Sequence, residues 1–226
     1  MIQRNISTTY QKLKPMKIVI FGASGKTGAL LTDQALSKGH TVTAFVRRQG
    51  SILQQHPNLN VVVGDLTDIN ILKQVISGSD AVLSTLGGGS LTRHSTEIMD
   101  GISRIVSLME QEKAGRFIYL SSIGAGESRN FMAPLIRFLV VNVLLRVPLA
   151  DHTINEQRIS ESSLNWTVVR PGGLTDGPLT GKLSYGNETI SLKGSPKISR
   201  ANVAAFMLQQ LGDTTFVKKG VWLYEQ

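Results

Sequence analysis

The chain contains no cysteine, which excludes a disulfide framework, a thiolate metal site and a thiol nucleophile. Its four histidines, His40, His56, His94 and His152, are scattered without a His-x-x-x-His pair, so no zinc centre is expected. Long uncharged apolar runs are also missing. The richest stretch, 131–149, is broken by Pro134, Arg137, Asn142, Arg146 and Pro148, whereas a membrane span needs about 20 apolar residues. It reads either as a helix buried beside the core or as an apolar wall over a flat hydrophobic ligand. Residues 1–16 hold Arg4, Lys12 and Lys14 and no acid, but lack the apolar segment of a secretory signal. Met16-Lys17 stands directly before the first strand-like run, so residues 1–15 read as a disordered extension. Internal repeats and low-complexity segments are absent.

What remains is the composition of one α/β domain. The chain has 226 residues, 41% of them hydrophobic, and 22 glycines, enough to bury a single sizeable core. The formal net charge is +8. Its basic residues are dispersed and no basic-aromatic stripe appears, so nucleic acid is not the expected partner. A small polyanionic ligand accounts for the excess.

The organising stretch is 17–28, Lys-Ile-Val-Ile-Phe-Gly-Ala-Ser-Gly-Lys-Thr-Gly. Lys17 to Phe21 reads as a buried strand and Ala29 to Leu36 as a helix. Between them Gly22, Gly25 and Gly28 have the spacing of a dinucleotide turn. Gly22 would make the tight turn, Gly25 would admit the pyrophosphate, and Gly28 would let the helix lie close to the sheet. The open amides of the helix N-terminus would face the phosphates. Gly25-Lys26-Thr27 imitates the end of a P-loop, but the glycine that motif requires five residues earlier is Ile20.

A second strand, Thr41 to Val46, ends in Arg47-Arg48. About 20 residues beyond the glycine turn, an NAD site places an acid on the ribose 2′-hydroxyl. Arginine there suits a 2′-phosphate and so NADPH. A third strand, Asn60 to Gly64, leads to Asp65, a candidate acceptor for an adenine amino group, while Thr67 and Asp68 read as the cap of the next helix. The fourth strand, Asp80 to Thr85, closes on Leu86-Gly87-Gly88-Gly89, where a backbone can pass under a ligand. A helix over 93–113 carries Ile98, Ile102, Ile105, Val106 and Met109 on one face. Arg116 to Leu120 is a fifth strand ending in Ser121-Ser122. Asp151 to Ser163 reads as a helix with Asp151 or Thr153 near its start, and Asn165 to Arg170 as a sixth strand before Pro171-Gly172-Gly173-Leu174. Residues 179–199 read as a small hairpin region, 201–211 as the last helix and 220–224 as a final strand.

Taken in order, the glycine turn, Val-Arg-Arg, Val-Val-Gly-Asp, Ser-Ser, Asp151-His152, Trp-Thr-Val-Val-Arg-Pro-Gly-Gly and Gly-Pro-Leu-Thr-Gly (177–181) resemble the atypical short-chain dehydrogenase/reductases. Within them the chain is most similar to the NAD(P)-binding, NmrA-like branch and its flavin reductase/biliverdin reductase B type. The resemblance runs from about Met16 to the C-terminus. It implies a Rossmann-like, doubly wound parallel sheet in three αβα layers, one domain over 16–226 with small substrate-side insertions, located in the cytoplasm as a monomer or weak dimer. It implies NADPH held by Gly22, Ser24, Gly25, Lys26, Thr27 and Gly28 at the pyrophosphate, and by Arg47 and Arg48 at the 2′-phosphate. Asp65 and Leu66 would border the adenine. Leu86 and Gly87 would lie under the ribose and nicotinamide, with Ser121, Ser122, Pro171 and Gly172 closing that end. Ser122 and His152 match active-site positions of the type. A second pocket histidine found after the sixth-strand proline is replaced here by Gly173, so the pocket differs.

Alcohol-oxidising members use a Tyr-x-x-x-Lys acid pair. The tyrosines of this chain are at 10, 119, 185 and 224, none of them between Ser122 and the following helix. The expected activity is therefore hydride transfer from NADPH to a flavin, bilin or quinone-like aromatic acceptor, where positioning is most of the catalysis. The alternative is a non-catalytic NmrA-like sensor of NADP(H).

Overall fold

The computed structural model describes residues 2–5, 14–87, 90–190, 192 and 195–225. Its elements are β1 (Ile2–Asn5), β2 (Lys17–Phe21), α1 (Lys26–Ser37), β3 (Thr41–Val46), β4 (Leu59–Val63), α2 (Ile69–Ile76), β5 (Ala81–Ser84) and α3 (Thr96–Gln111). There follow β6 (Arg116–Leu120), α4 (Pro134–Arg137), α5 (Arg146–Ser160), β7 (Asn165–Pro171), β8 (Gly173–Thr175), β9 (Lys182–Gly186), β10 (Lys197–Ser199), α6 (Arg200–Gln209) and β11 (Lys219–Glu225).

Nine strands form one sheet in the order β1-β9-β11-β7-β6-β5-β2-β3-β4. From β4 across to β11 every pair is parallel. From β3 across to β11 the sheet is largely buried on both faces, and alternation along each strand sorts side chains between two cores. In β2, Ile18 and Ile20 join one cluster with Leu31 of α1 and Phe206 of α6. Val19 and Phe21 join the other, with Leu72 of α2, Ile105 of α3 and Ile159 of α5. Each fully buried side chain of this kind contributes about 1.5–3 kcal/mol. The expected doubly wound, three-layer arrangement is present. β3 and β4 lie to one side of β2 and β5 to the other, so the order reverses between β2 and β5, and a crevice opens at their carboxyl ends.

Four local expectations are revised. Residues 2–5, read as part of a disordered leader, pair antiparallel with β9 from Ile2↔Tyr185 to Asn5↔Lys182; the outer edge of β9 offers unpaired backbone groups that any extended segment can satisfy. Residues 6–13 lie outside the described residues. Among its described residues the 179–199 region shows no hairpin of its own. β9 pairs with β11 antiparallel, and β10 pairs with β8 in parallel, because both partners lie closer in space than in sequence. Asp151 and Thr153 sit inside α5 rather than at its start, since the helix begins at Arg146. The 131–149 stretch is not a buried helix: Leu135, Phe138, Leu139, Val143 and Leu144 are all exposed.

Candidate functional site

Gly22 ends β2 with φ +80°, and a Cβ there would come within 2.8 Å of the Thr85 Oγ1. The Thr85 hydroxyl and amide donate to carbonyls of the turn, Oγ1 to Gly22 O at 3.1 Å and N to Phe21 O at 2.9 Å. The turn is thus tied to the end of β5 across the switch point. Gly28 is the tightest contact, for a Cβ would lie 2.1 Å from the Gly22 carbonyl oxygen. No side chain but hydrogen fits, and the first turn of α1 rests on the glycine loop. Gly25 is the N-cap of α1 and caps with no side chain, so the opening amides of the helix face outward without a side-chain acceptor.

A cleft of about 630 Å³ opens here. It brings together Gly22, Ser24, Gly25, Arg47, Asp65, Leu66, Leu86 and Gly87, half of the residues expected around the cofactor. Phe45, Gly64, Thr67, Thr85, Glu97 and Ile98 line it as well and were not singled out from the sequence. Thr85 could have been found from its place after β5, at the switch point; Glu97 and Ile98 reach the cleft only because α3 starts beside it. Gly64 is required because the Phe45 ring would stand 2.9 Å from any Cβ placed there. Asp65 accepts from the Thr67 hydroxyl at 2.7 Å and the Thr67 amide at 2.8 Å. Those bonds from Thr67, with Arg47 and Arg104 nearby, hold its carboxyl below the usual range.

The rest of the expected cofactor set lies off this cleft. Thr27 is buried in α1, and Lys26 pairs with Asp176 at 3.1 Å, with Arg200 on the other carboxylate oxygen at 2.5 Å. Arg48 is exposed, its carbonyl accepting from Ser51 in a turn. Gly172 donates to the Leu223 carbonyl and lies under Pro196, whose oxygen would be 2.5 Å from a Cβ; its glycine is needed for packing. The 177–181 motif is a clamped loop, with Asn202 Oδ1 accepting from the amides of Thr180 and Gly181.

At the carboxyl end of β6 the two serines part, as successive residues of an extended chain must. Ser121 is buried and donates to Glu156 Oε1 at 2.5 Å, within a network in which Arg170 forks onto Glu156 at 2.8 and 3.1 Å and reaches Glu127 at 3.0 Å. Ser122 is half-buried, and its hydroxyl reaches the Ile123 carbonyl at 3.2 Å.

His152 faces inward from α5, not into solvent. Its Nδ1 lies 2.7 Å from the Tyr119 hydroxyl, which accepts from Asn155 Nδ2 at 3.0 Å. The Tyr119 hydroxyl can still either donate to Nδ1 or accept from it, so this bond fixes the orientation of the imidazole. Burial lowers the His152 pKa to about 4 against the opposing pull of Asp151, so the ring is neutral at pH 7. Burial likewise pushes the Tyr119 hydroxyl far up, so this tyrosine orients and does not ionise. It escaped the sequence reading because it precedes the serines on the strand instead of following them. Next to it, Asp151 holds His94 Nδ1 at 2.5 Å and the Ser95 amide at 2.8 Å, capping α3 from outside.

The comparisons with known proteins agree with this geometry. A family described as NAD(P)H-binding matches residues 22–214. The chain belongs to this NAD(P)H-binding family. An uncharacterised chloroplastic protein of Arabidopsis thaliana is 30% identical over 207 residues, covering 88% of this chain and 73% of the relative. Among solved structures, a wide-type short-chain dehydrogenase/reductase of Veillonella parvula in complex with NADP shares the fold. Its TM-score is 0.78 at 19% identity, covering 94% of this chain and 95% of that one. ChuY, an anaerobilin reductase of Escherichia coli O157:H7, matches with TM-score 0.76 and 23% identity, covering 92% and 97%. Among the described residues no helix of this NAD(P)H-binding protein is long and apolar enough to cross a membrane.

Proposed function

We propose that this protein is an NADPH-dependent reductase that passes hydride to a flavin, bilin or quinone-like aromatic acceptor. The observation that carries the reading is the glycine-floored cleft with Arg47 on its lining. A dinucleotide fits it by the chemistry of its own backbone: the turn lines the cleft with Gly22 and Gly25, which carry no side chain into it, and the amides opening α1 are free of side-chain caps. Gly22, Ser24 and Gly25 would hold the pyrophosphate, Arg47 the 2′-phosphate, and Asp65 and Leu66 the adenine, while Leu86 and Gly87 continue toward the reacting end. Lys26 would reach the phosphates by leaving Asp176, an exposed pairing that holds it weakly.

When bound, NADPH supplies the hydride. The chain's own part is orientation. His152, neutral and oriented by Tyr119, would offer its Nε2 for a hydrogen bond to the acceptor, and Ser122 would offer its hydroxyl. Neither residue is an acid strong enough to protonate a ketone oxygen, which favours acceptors whose conjugated ring spreads the arriving charge and takes its proton from water. ChuY, the anaerobilin reductase of Escherichia coli, is a structural relative whose acceptor is of this class.

The deciding experiment follows NADPH oxidation at 340 nm with FMN, riboflavin, biliverdin and quinones in turn. Turnover with one of them, reduced at least tenfold in Ser122→Ala or His152→Gln, is expected. Tight NADP(H) binding without turnover on any acceptor would overturn the reductase reading and favour an NADP(H)-sensing role, to which the lack of an ionisable proton donor at His152 also lends support.

A further inference from the structure

Between β6 and α5 the chain crosses the acceptor end of the molecule through α4 and a wider helical segment, Phe138–Leu144, closed by an i→i+5 bond from the Leu145 amide to the Val140 carbonyl at 2.8 Å. With five-residue steps, Phe138 and Leu139 recur as Val143 and Leu144 one turn on, and Leu135 precedes Phe138 and Leu139 at helical spacing. These five side chains share one side, and all are open to solvent: Leu135 72%, Phe138 56%, Leu139 48%, Val143 57% and Leu144 61% exposed. A concentration of large apolar groups on one short segment marks a docking surface, not scattered surface residues.

Its charge identifies the occupant. From Ser128 to Ala150 there is no acidic residue, and the segment carries Arg129, Arg137 and Arg146. Arg129 and Arg146 are exposed at either end of the stripe, and Arg137 is half-buried with its guanidinium on Asn130 Oδ1 at 3.3 Å. A second copy docked symmetrically would bring these arginines against their own counterparts with no acid on the patch to pair them. An apolar face fringed by cations matches the interface of a bilayer with anionic headgroups, the apolar groups entering the acyl boundary and the guanidinia meeting phosphates. We infer that the 129–146 segment docks the protein reversibly on an anionic lipid surface, lying on it without spanning it. The inference stands independently of the acceptor and of turnover.

The test is co-sedimentation of the full chain with vesicles of phosphatidylcholine alone and with vesicles containing phosphatidylglycerol. Pelleting with the anionic vesicles and not the neutral ones is expected, weakening as salt rises. Phe138→Ser with Leu139→Ser should abolish it while thermal unfolding and NADPH binding stay unchanged, and Leu135→Ser with Val143→Ser provides the same reading should the first pair misfold. Arg129→Gln and Arg146→Gln should each weaken vesicle binding roughly fivefold. Absence of pelleting with anionic vesicles, equal pelleting with neutral ones, or pelleting indifferent to both serine pairs would overturn the inference. So would a dimer, seen by light scattering, that the serine substitutions dissociate in a protein that ignores vesicles.

Discussion

Arg47 and Arg48 are adjacent in sequence and separate in structure. Arg47 lines the cleft, whereas Arg48 sits in the solvent-facing turn whose carbonyl Ser51 caps. Arg47→Glu should therefore weaken NADPH at least tenfold more than NADH, while Arg48→Ala should change the two alike and little; fluorescence titration with both dinucleotides measures this. The glycines divide in the same way. At Gly28 the obstruction is the backbone oxygen of Gly22, which cannot swing aside. Gly28→Ala should cost about 2–3 kcal/mol or more in urea unfolding. At Gly87 nothing lies within 4 Å of a Cβ, so Gly87→Ala should leave stability unchanged and act on cofactor affinity alone. The sequence pattern gives the turn glycines their roles; only the distances rank their costs.

At the scale of elements, α3 shows how one segment depends on another. Its first turn has no cap from its own Ser95 side chain and is closed instead by Asp151 of α5, which also fixes His94. Asp151→Ala leaves the half-buried Ser95 amide and the His94 ring without their acceptor. We expect a loss of about 1–3 kcal/mol in denaturant unfolding, with Asp151→Asn retaining part of it through the amide oxygen. The start of α2 was legible from its local cap and α3 from its apolar spacing; Asp68 accepts from the amides of Asn70 and Ile71 as its position suggests. The cap of α3 was not legible, because its donor and acceptor are 56 residues apart. β9 and β10 were misread for the same reason, their partners being chosen by proximity in the folded sheet.

For the whole molecule, two buried histidines set an acid limit on stability. Burial depresses His152 to about 4, and burial with the nearby Lys38 charge depresses His40. The unfolded chain protonates both near pH 6.5, earlier than the folded one, so it binds the additional proton as pH falls. Both contributions are complete above about pH 6.5 and decline below it, that of His152 down to about pH 4. The urea midpoint should rise across that window, and His152→Asn should flatten the rise while leaving the part due to His40. Urea titrations at half-unit steps of pH decide it.

Some properties followed from residue types in local order. The glycine turn between a β-branched run and a helix specifies a dinucleotide fold, because Gly22 takes a positive φ and Gly25 and Gly28 both crowd the Gly22 carbonyl within the same turn. The alternation of Val, Ile and Phe along the strands specifies a sheet covered on both faces. Tertiary structure alone decided the rest. Ser121 became a structural group because Glu156 reaches it across α5, and Ser122 stayed available. His152 became neutral because a tyrosine from a strand 33 residues away and a packed helix desolvate it. The 135–144 stripe became surface, not core, because α4 packs on the segment after it and that segment on α5, which leaves these side chains uncovered. Burial, pKa and side-chain availability depend on what arrives from distant parts of the chain, and no local pattern encodes that.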